Sequence, residues 1–378
     1  MSDNPLVGLL KLGQSFWYDN ISRDLIGSGE LKRMIDEDGM RGVTSNPSIF
    51  FKSIKGSDVY DEQLRSFPPD NGMSDKDVFY ELAIKDIQDA ADLLLPVYQE
   101  SKGSDGFVSM EVDPSFAYKI KETIKEAEEL YSRIKRPNLM IKVPATKEGL
   151  FALTELISKG INVNVTLLFS VKRYEEVTHA YLQGLEKRLQ SGEAIGNISS
   201  VASFFVSRVD SLTDKLLSEV ISSDDPDDDK KKAKALLGKT AVANAKIAYQ
   251  VFKNVFSHDR YMKLKKEGAS VQRLLWASTS TKSPEYSDLL YVDSLIGPST
   301  VNTMPPNTLV AFRDHGKLER TVDRDIDDAY KVLNELEELE INIEQITEDL
   351  EDEGVRLFRE AFDSLISLIG ERRQVLSK

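Results

Sequence analysis

Eight short strand-like segments recur along the chain, and nearly all are separated by stretches in which apolar residues keep helical spacing. Seven are residues 15–20, 41–47, 106–112, 138–146, 161–169, 198–205 and 271–278. The eighth emerges within 289–304, where a helical start at Leu289 gives way to Val301-Asn-Thr-Met304. Strands of this length alternating with helices form parallel sheets, because a parallel pair needs a long crossover. Eight such units match a (β/α)₈ (TIM) barrel, an α/β fold of about 250 residues, or more with insertions. The rival architecture, an open doubly wound sheet, carries a glycine-rich phosphate turn after its first strand. Asp19-Asn20-Ile21 stands there instead. From about residue 314 the chain turns strongly acidic, while Ile326, Tyr330, Leu333, Leu336, Val355, Phe358, Phe362, Leu365 and Ile366 keep helical spacing. The expected organisation is therefore a barrel domain, 1–313, and an acidic helical C-terminal extension, 314–378, packed on the barrel exterior. A separate partner-binding module is the other reading of that extension.

Composition removes several classes of function. Against 49 basic residues stand 63 acidic ones, a net charge of −14, whereas nucleic-acid and anionic-membrane binding call for a basic surface. A local basic pocket for a phosphate is compatible with that balance. The absence of cysteine rules out disulfides, thiolate nucleophiles and Cys-based metal sites. The start of the chain lacks a basic-then-apolar signal segment, and no apolar run approaches the ~20 residues of a membrane helix. A soluble cytoplasmic protein is expected, with monomer and homodimer equally open. His179, His258 and His315 lie away from strand ends and are expected on the surface. The acidic run 222–230 lacks the alternating ligands and glycine turn of a Ca²⁺ loop and reads as a solvated loop. No metal and no cofactor are expected.

The strands carry the chemistry. Residues 138–146, Asn-Leu-Met-Ile-Lys-Val-Pro-Ala-Thr, form an apolar run flanked by Pro137 and interrupted by Pro144, with Lys142 in its middle. A lysine on a buried strand is costly unless neutralised or paired. Burial lowers an amine's pKa and makes it a nucleophile able to form a Schiff base. Taken alone, Lys142 reads more readily as a strand-end lysine that reaches solvent or pairs with a carboxylate. In a barrel, alternate side chains face the lumen and chemistry sits at the C-terminal mouth. That parity gathers Asp19, Thr44 and Asn46, Ser109 and Glu111, Lys142, Asn162, Asn164 and Thr166, Ser203, and Ser278 and Ser280. The opposite parity is mostly apolar: Val43, Val112, Ile141, Val143, Val163, Val165 and Leu167. One lysine and two carboxylates on a shared face suit Schiff-base aldol chemistry. The amine attacks a ketose carbonyl, one carboxylic group protonates the departing hydroxyl, and the other takes the sugar hydroxyl proton as the carbon–carbon bond breaks. Asparagines supply hydrogen bonds that hold a polyhydroxylated fragment. This chemistry requires no metal.

At these residues the sequence resembles the transaldolases, from about residue 15 to 306. The matching stretches, in order, are Gly42-Val-Thr-Ser-Asn-Pro-Ser48, Met110-Glu-Val-Asp113, Ile141-Lys-Val-Pro-Ala-Thr146, Asn164-Val-Thr-Leu-Leu-Phe-Ser170 and Ser203-Phe-Phe-Val-Ser-Arg208. The resemblance implies transfer of a dihydroxyacetone unit from sedoheptulose 7-phosphate to glyceraldehyde 3-phosphate, giving erythrose 4-phosphate and fructose 6-phosphate in the non-oxidative pentose phosphate pathway. It implies Lys142 as the Schiff-base nucleophile, Glu111 as the acid/base acting through a water placed with help from Thr166, and Asp19 as the base in cleavage. Asn46 and Asn164 would bind the dihydroxyacetone hydroxyls, and Ser203 and Arg208 the phosphate. Many members carry a second phosphate-binding arginine after strand seven. Here Trp276-Ala-Ser-Thr-Ser-Thr-Lys-Ser-Pro284 puts Ser280 at the direct match and Lys282 as the nearby cation, which is expected to replace the arginine with a point charge. Two alternatives stand beside this reading. One is a Schiff-base fructose-6-phosphate aldolase that releases dihydroxyacetone to water. The other is a non-catalytic barrel that senses sugar phosphates or scaffolds a partner.

Overall fold

In a computed structural model, which describes residues 4–224 and 226–377, eight parallel strands close into a barrel in chain order. They are β1 (Gln14–Tyr18), β2 (Gly42–Val43), β3 (Phe107–Glu111), β4 (Leu139–Pro144), β5 (Val163–Leu168), β6 (Ser200–Phe205), β7 (Arg273–Ala277) and β8 (Thr300–Met304). Closure is made by β1 and β8, paired from Gln14–Thr300 to Tyr18–Met304. The fold is the (β/α)₈ barrel expected, with further helices after β8. The apolar parity is buried throughout, Val43, Ile141, Val143 and Val163 completely so, sandwiched between the sheet and its ring of helices.

At the N-terminal end of the barrel, Asp105 accepts from Ser15 and, at 2.8 Å, from the Trp17 indole, while Arg273 donates to Ser15 at 2.8 Å. Gly42 is required where Trp17 packs: a Cβ there would lie 2.5 Å from indole ring atoms. Asn162 also belongs to this end. Its amide donates to the Pro137 and Leu139 carbonyls and its oxygen accepts from Ser199 N–H. Parity grouped it with the polar residues of the mouth, but parity gives the side of a strand and not the height along it.

The 289–297 segment is a one-turn helix, Leu290–Asp293, and a turn, so the eighth strand begins only at Thr300. Most of the acidic run is a helix end. The helix Ser207–Ser222 stops there and Asp227–Leu236 starts with Asp227, Asp228 and Asp229 in its first turn, where the positive end of the helix dipole favours them. Asp225, inside that run, lies outside the described residues.

After β8 come helices Pro306–His315, Ile326–Glu338 and Ile343–Leu376. The second packs on Thr240–Val255, with Ala329 against Ala243 and Ile247. The third runs across Pro47–Lys55 and Asp75–Glu100, where Phe362 meets Phe79 edge-on at 5.7 Å. Its far end is held by the buried Arg373, which donates to the carbonyls of Phe67 and Pro68 and to Asn71 and Asp75. Among the described residues no helix is long and apolar enough to cross a membrane.

Candidate active site

The C-terminal ends of the strands surround a cavity of about 670 Å³. Lys142 reaches its floor from β4, 5% exposed. Its ammonium donates to the Ser45 carbonyl at 2.9 Å and to Glu111 Oε2 at 3.2 Å. Glu111 lies behind it at the end of β3, where Glu111 and Lys142 are register partners. Burial pushes the Glu111 carboxyl up, against the lowering effect of Lys142. Asp19 follows β1 directly, its N–H bonded to Met304 O, which carries it to the mouth. Desolvation raises its pKa as well, opposed by a 2.6 Å bond from Thr44 and by the Lys142 charge. Two acids that stay protonated to higher pH than usual thus flank one amine.

Asn46 caps the helix Pro47–Lys55, its side-chain oxygen accepting from Ile49 N–H. The cap occupies the oxygen, and Asn46 lines the cavity. On β5, Asn164 is fixed from both sides, donating to Ser109 Oγ at 3.0 Å and accepting from Ser203 Oγ at 2.6 Å. Thr166 Oγ1 is buried at the cavity wall without a hydrogen-bond partner. Just beyond it the β5 register shifts between Val165 and Leu168, and Leu167 takes a left-handed φ of 57°. Such strain in a leucine persists only where the surroundings over-determine it.

The rim is cationic. Arg208 enters at the start of the helix Ser207–Ser222, its guanidinium 5.6 Å from the Phe205 ring centroid and Nη1 buried without a partner. Burial lowers its pKa. Lys282 donates to Ser280 Oγ at 2.8 Å, and its pKa is lowered by desolvation and then by the charges of Arg208 and Lys52. None of the three is in an ion pair among the described residues. Glu353 acts on Arg208 at a distance, against the lowering effect of burial. Three unneutralised cations at one cavity mouth, in a chain of net charge −14, form a site for an anion.

The structure therefore brings Asp19, Asn46, Lys142, Thr166, Ser203, Arg208, Ser280 and Lys282 to one cavity, with Glu111 and Asn164 behind it. Sequence reasoning missed Lys52, Thr303 and Phe358, which also line it. Thr303, on β8, hydrogen-bonds Thr44 at 2.6 Å, and strand parity applied to Val301-Asn-Thr-Met304 would have found it had the start of the eighth strand been fixed. Lys52 sits on a helix, where strand parity is silent. Phe358 comes from the C-terminal helix, far from any motif. All three histidines are exposed, and no group of three or more histidine or carboxylate side chains is placed to hold a metal ion among the described residues.

A barrel with a buried lysine, two perturbed carboxylates and an anion site at its mouth is built for Schiff-base chemistry on phosphorylated carbonyl compounds. The transaldolase/fructose-6-phosphate aldolase family profile matches residues 16–369. A transaldolase of Trichodesmium erythraeum is 48% identical over the whole of both chains. A transaldolase 2 of Nostoc punctiforme is 44% identical, again over the whole of both, and a transaldolase of Mycobacterium bovis is 44% identical over 97% of this chain and 96% of its own. The chain belongs to the transaldolase/fructose-6-phosphate aldolase family. The match runs past the barrel into the helix Ile343–Leu376.

Proposed function

We propose that the protein is a cytoplasmic transaldolase that moves a dihydroxyacetone unit from sedoheptulose 7-phosphate to glyceraldehyde 3-phosphate through a Schiff base on Lys142. The observation that carries this reading is the meeting of Lys142, Glu111 and Asp19 below a rim of unpaired cations.

Lys142 Nζ attacks the ketose carbonyl carbon. Glu111, whose pKa burial raises, gives a proton through a water to the carbinolamine hydroxyl, which leaves as water. The unpartnered Thr166 hydroxyl helps to place that water. Asp19, more basic than an ordinary carboxylate, takes the proton of the hydroxyl on the next carbon but one. The carbon–carbon bond breaks, its electrons pass into the iminium, and an aldose leaves. The enamine then attacks the aldehyde carbon of the acceptor, Asp19 returns its proton to the new alkoxide, and hydrolysis of the imine frees the product ketose. Asn46 and Asn164 hold the fragment's hydroxyls. Arg208, Lys282 and Ser280 hold the phosphate, and Ser203 faces the same space while giving its own proton to Asn164.

Borohydride trapping with fructose 6-phosphate tests this. A reduced dihydroxyacetone adduct is expected on Lys142 by peptide mapping and is lost in Lys142→Ala, whereas no adduct on any lysine overturns the reading. Sedoheptulose 7-phosphate formed when erythrose 4-phosphate is added separates transfer from simple release to water.

A further inference from the structure

The C-terminal helix Ile343–Leu376 lays one face on the barrel mouth, with Gly354, Phe358 and Phe362 four residues apart. A Cβ on Gly354 would lie 3.0 Å from Leu167 Cδ2, so the glycine lets the helix come down on the irregular end of β5. Phe358 meets Phe205 at 6.5 Å between ring centroids, and its face stands 5.8 Å from Lys142 Nζ. It also lines the large cavity. Phe362 borders a smaller gap that Glu111 shares. The reacting amine and its acid are thus walled by aromatic side chains from the last helix of the chain.

We propose that Phe358 is a specificity residue that keeps bulk solvent from the enamine's nucleophilic carbon, so that the bound fragment waits for an aldehyde, while the single water held by Glu111 and Thr166 serves imine formation and product hydrolysis. This rests on the Lys142 reading above. Once the first aldose has left, the enamine on Lys142 has two fates. It can attack an acceptor aldehyde. Alternatively, its nucleophilic carbon takes a proton, water adds to the resulting iminium carbon, and the carbinolamine collapses to free dihydroxyacetone and the Lys142 amine. The second route starts with a proton from bulk solvent on the enamine's nucleophilic carbon, and the Phe358 ring stands beside the group that carries it. The same ring face is a favourable neighbour for the cationic iminium. Excluding water by a fixed apolar wall suppresses hydrolysis of a reactive intermediate.

The test compares full-length wild type with Phe358→Ala and Phe358→Leu. Fructose 6-phosphate alone gives the rate of free dihydroxyacetone release, and added erythrose 4-phosphate gives the rate of transfer. Phe358→Ala is expected to raise the release-to-transfer ratio about tenfold, ~1.4 kcal/mol between the two barriers. Phe358→Leu, which refills most of the volume, falls between. An unchanged ratio in Phe358→Ala, with Lys142 still trapped by borohydride, overturns the proposal and leaves the Schiff-base reading standing. Absence of the adduct in wild type would remove that reading instead. If the alanine variant does not fold, the leucine variant decides by whether its ratio exceeds that of wild type.

Discussion

Ser203 gives its hydroxyl proton to the Asn164 side-chain oxygen at 2.6 Å, and this bond fixes which way the amide faces. Asn164 in turn donates to Ser109 at 3.0 Å, so three strands share one buried chain of polar groups. Ser203→Ala leaves the amide oxygen unpaired in the interior, at a cost of about 1–3 kcal/mol. We expect weaker binding of donors with and without a phosphate to similar degrees, read as parallel rises in KM.

The rim cations behave differently. Arg208, Lys282 and Lys52 face the cavity without carboxylate partners. Lys282→Ala and Lys52→Ala should raise KM for phosphorylated sugars roughly tenfold each, the range of a lost charge-assisted contact. The rate with an unphosphorylated ketose such as fructose, and an unphosphorylated aldehyde as acceptor, should stay as it was. Steady-state kinetics on the two substrate sets separates these variants from Ser203→Ala, and unchanged KM values would remove the lysines from the anion site.

Glu111→Gln keeps the shape and a hydrogen-bond partner for Lys142 but loses the transferable proton. A fall in kcat of about 10²–10⁴ is expected. Because burial raises the pKa of Asp19, the group that must be ionised to take the hydroxyl proton, the acid limb of the wild-type pH–rate profile should lie above the range of free carboxylates.

Asp210 provides a readout of stability. It accepts from Ala241 N–H and from the Tyr291 hydroxyl, and burial pushes its pKa up to about 7. Between the ordinary carboxylate range and about 7, the folded chain holds a proton there that the unfolded chain has lost. This group's stabilisation is complete at the acid end of that window and fades as pH rises to about 7. Asp210→Asn should flatten that slope in thermal unfolding and exceed wild-type Tm at pH 8.

Arg373→Ala should cost about 2–4 kcal/mol, since it strips partners from the carbonyls of Phe67 and Pro68 and from Asp75. The loss should appear as a lower Tm and as higher free dihydroxyacetone release in warm assays, because the helix that carries Phe358 is released at its far end.

Much of the barrel was legible because a buried parallel strand has to be apolar on the face that meets the helices. Val163, Val165 and Leu167 alternate with Asn162, Asn164 and Thr166 for that reason. Height along the strand was not legible: Asn162 and Asn164 look alike in sequence, yet one ties the barrel bottom and the other faces the reaction. Nor does any local pattern reveal that Phe358, distant from every strand, stands beside Lys142. A helical stripe records that a face is buried and leaves open what it is buried against.

The position of that helix bears on how the protein comes into being. A chain is made and begins to fold from its N-terminus, so all eight strands and both carboxylates are in place before Phe358 and Arg373 have been synthesised. A nascent barrel would hold its lysine open to solvent until the last segment descends. A shortened copy that keeps every motif would be left in that same unsealed state.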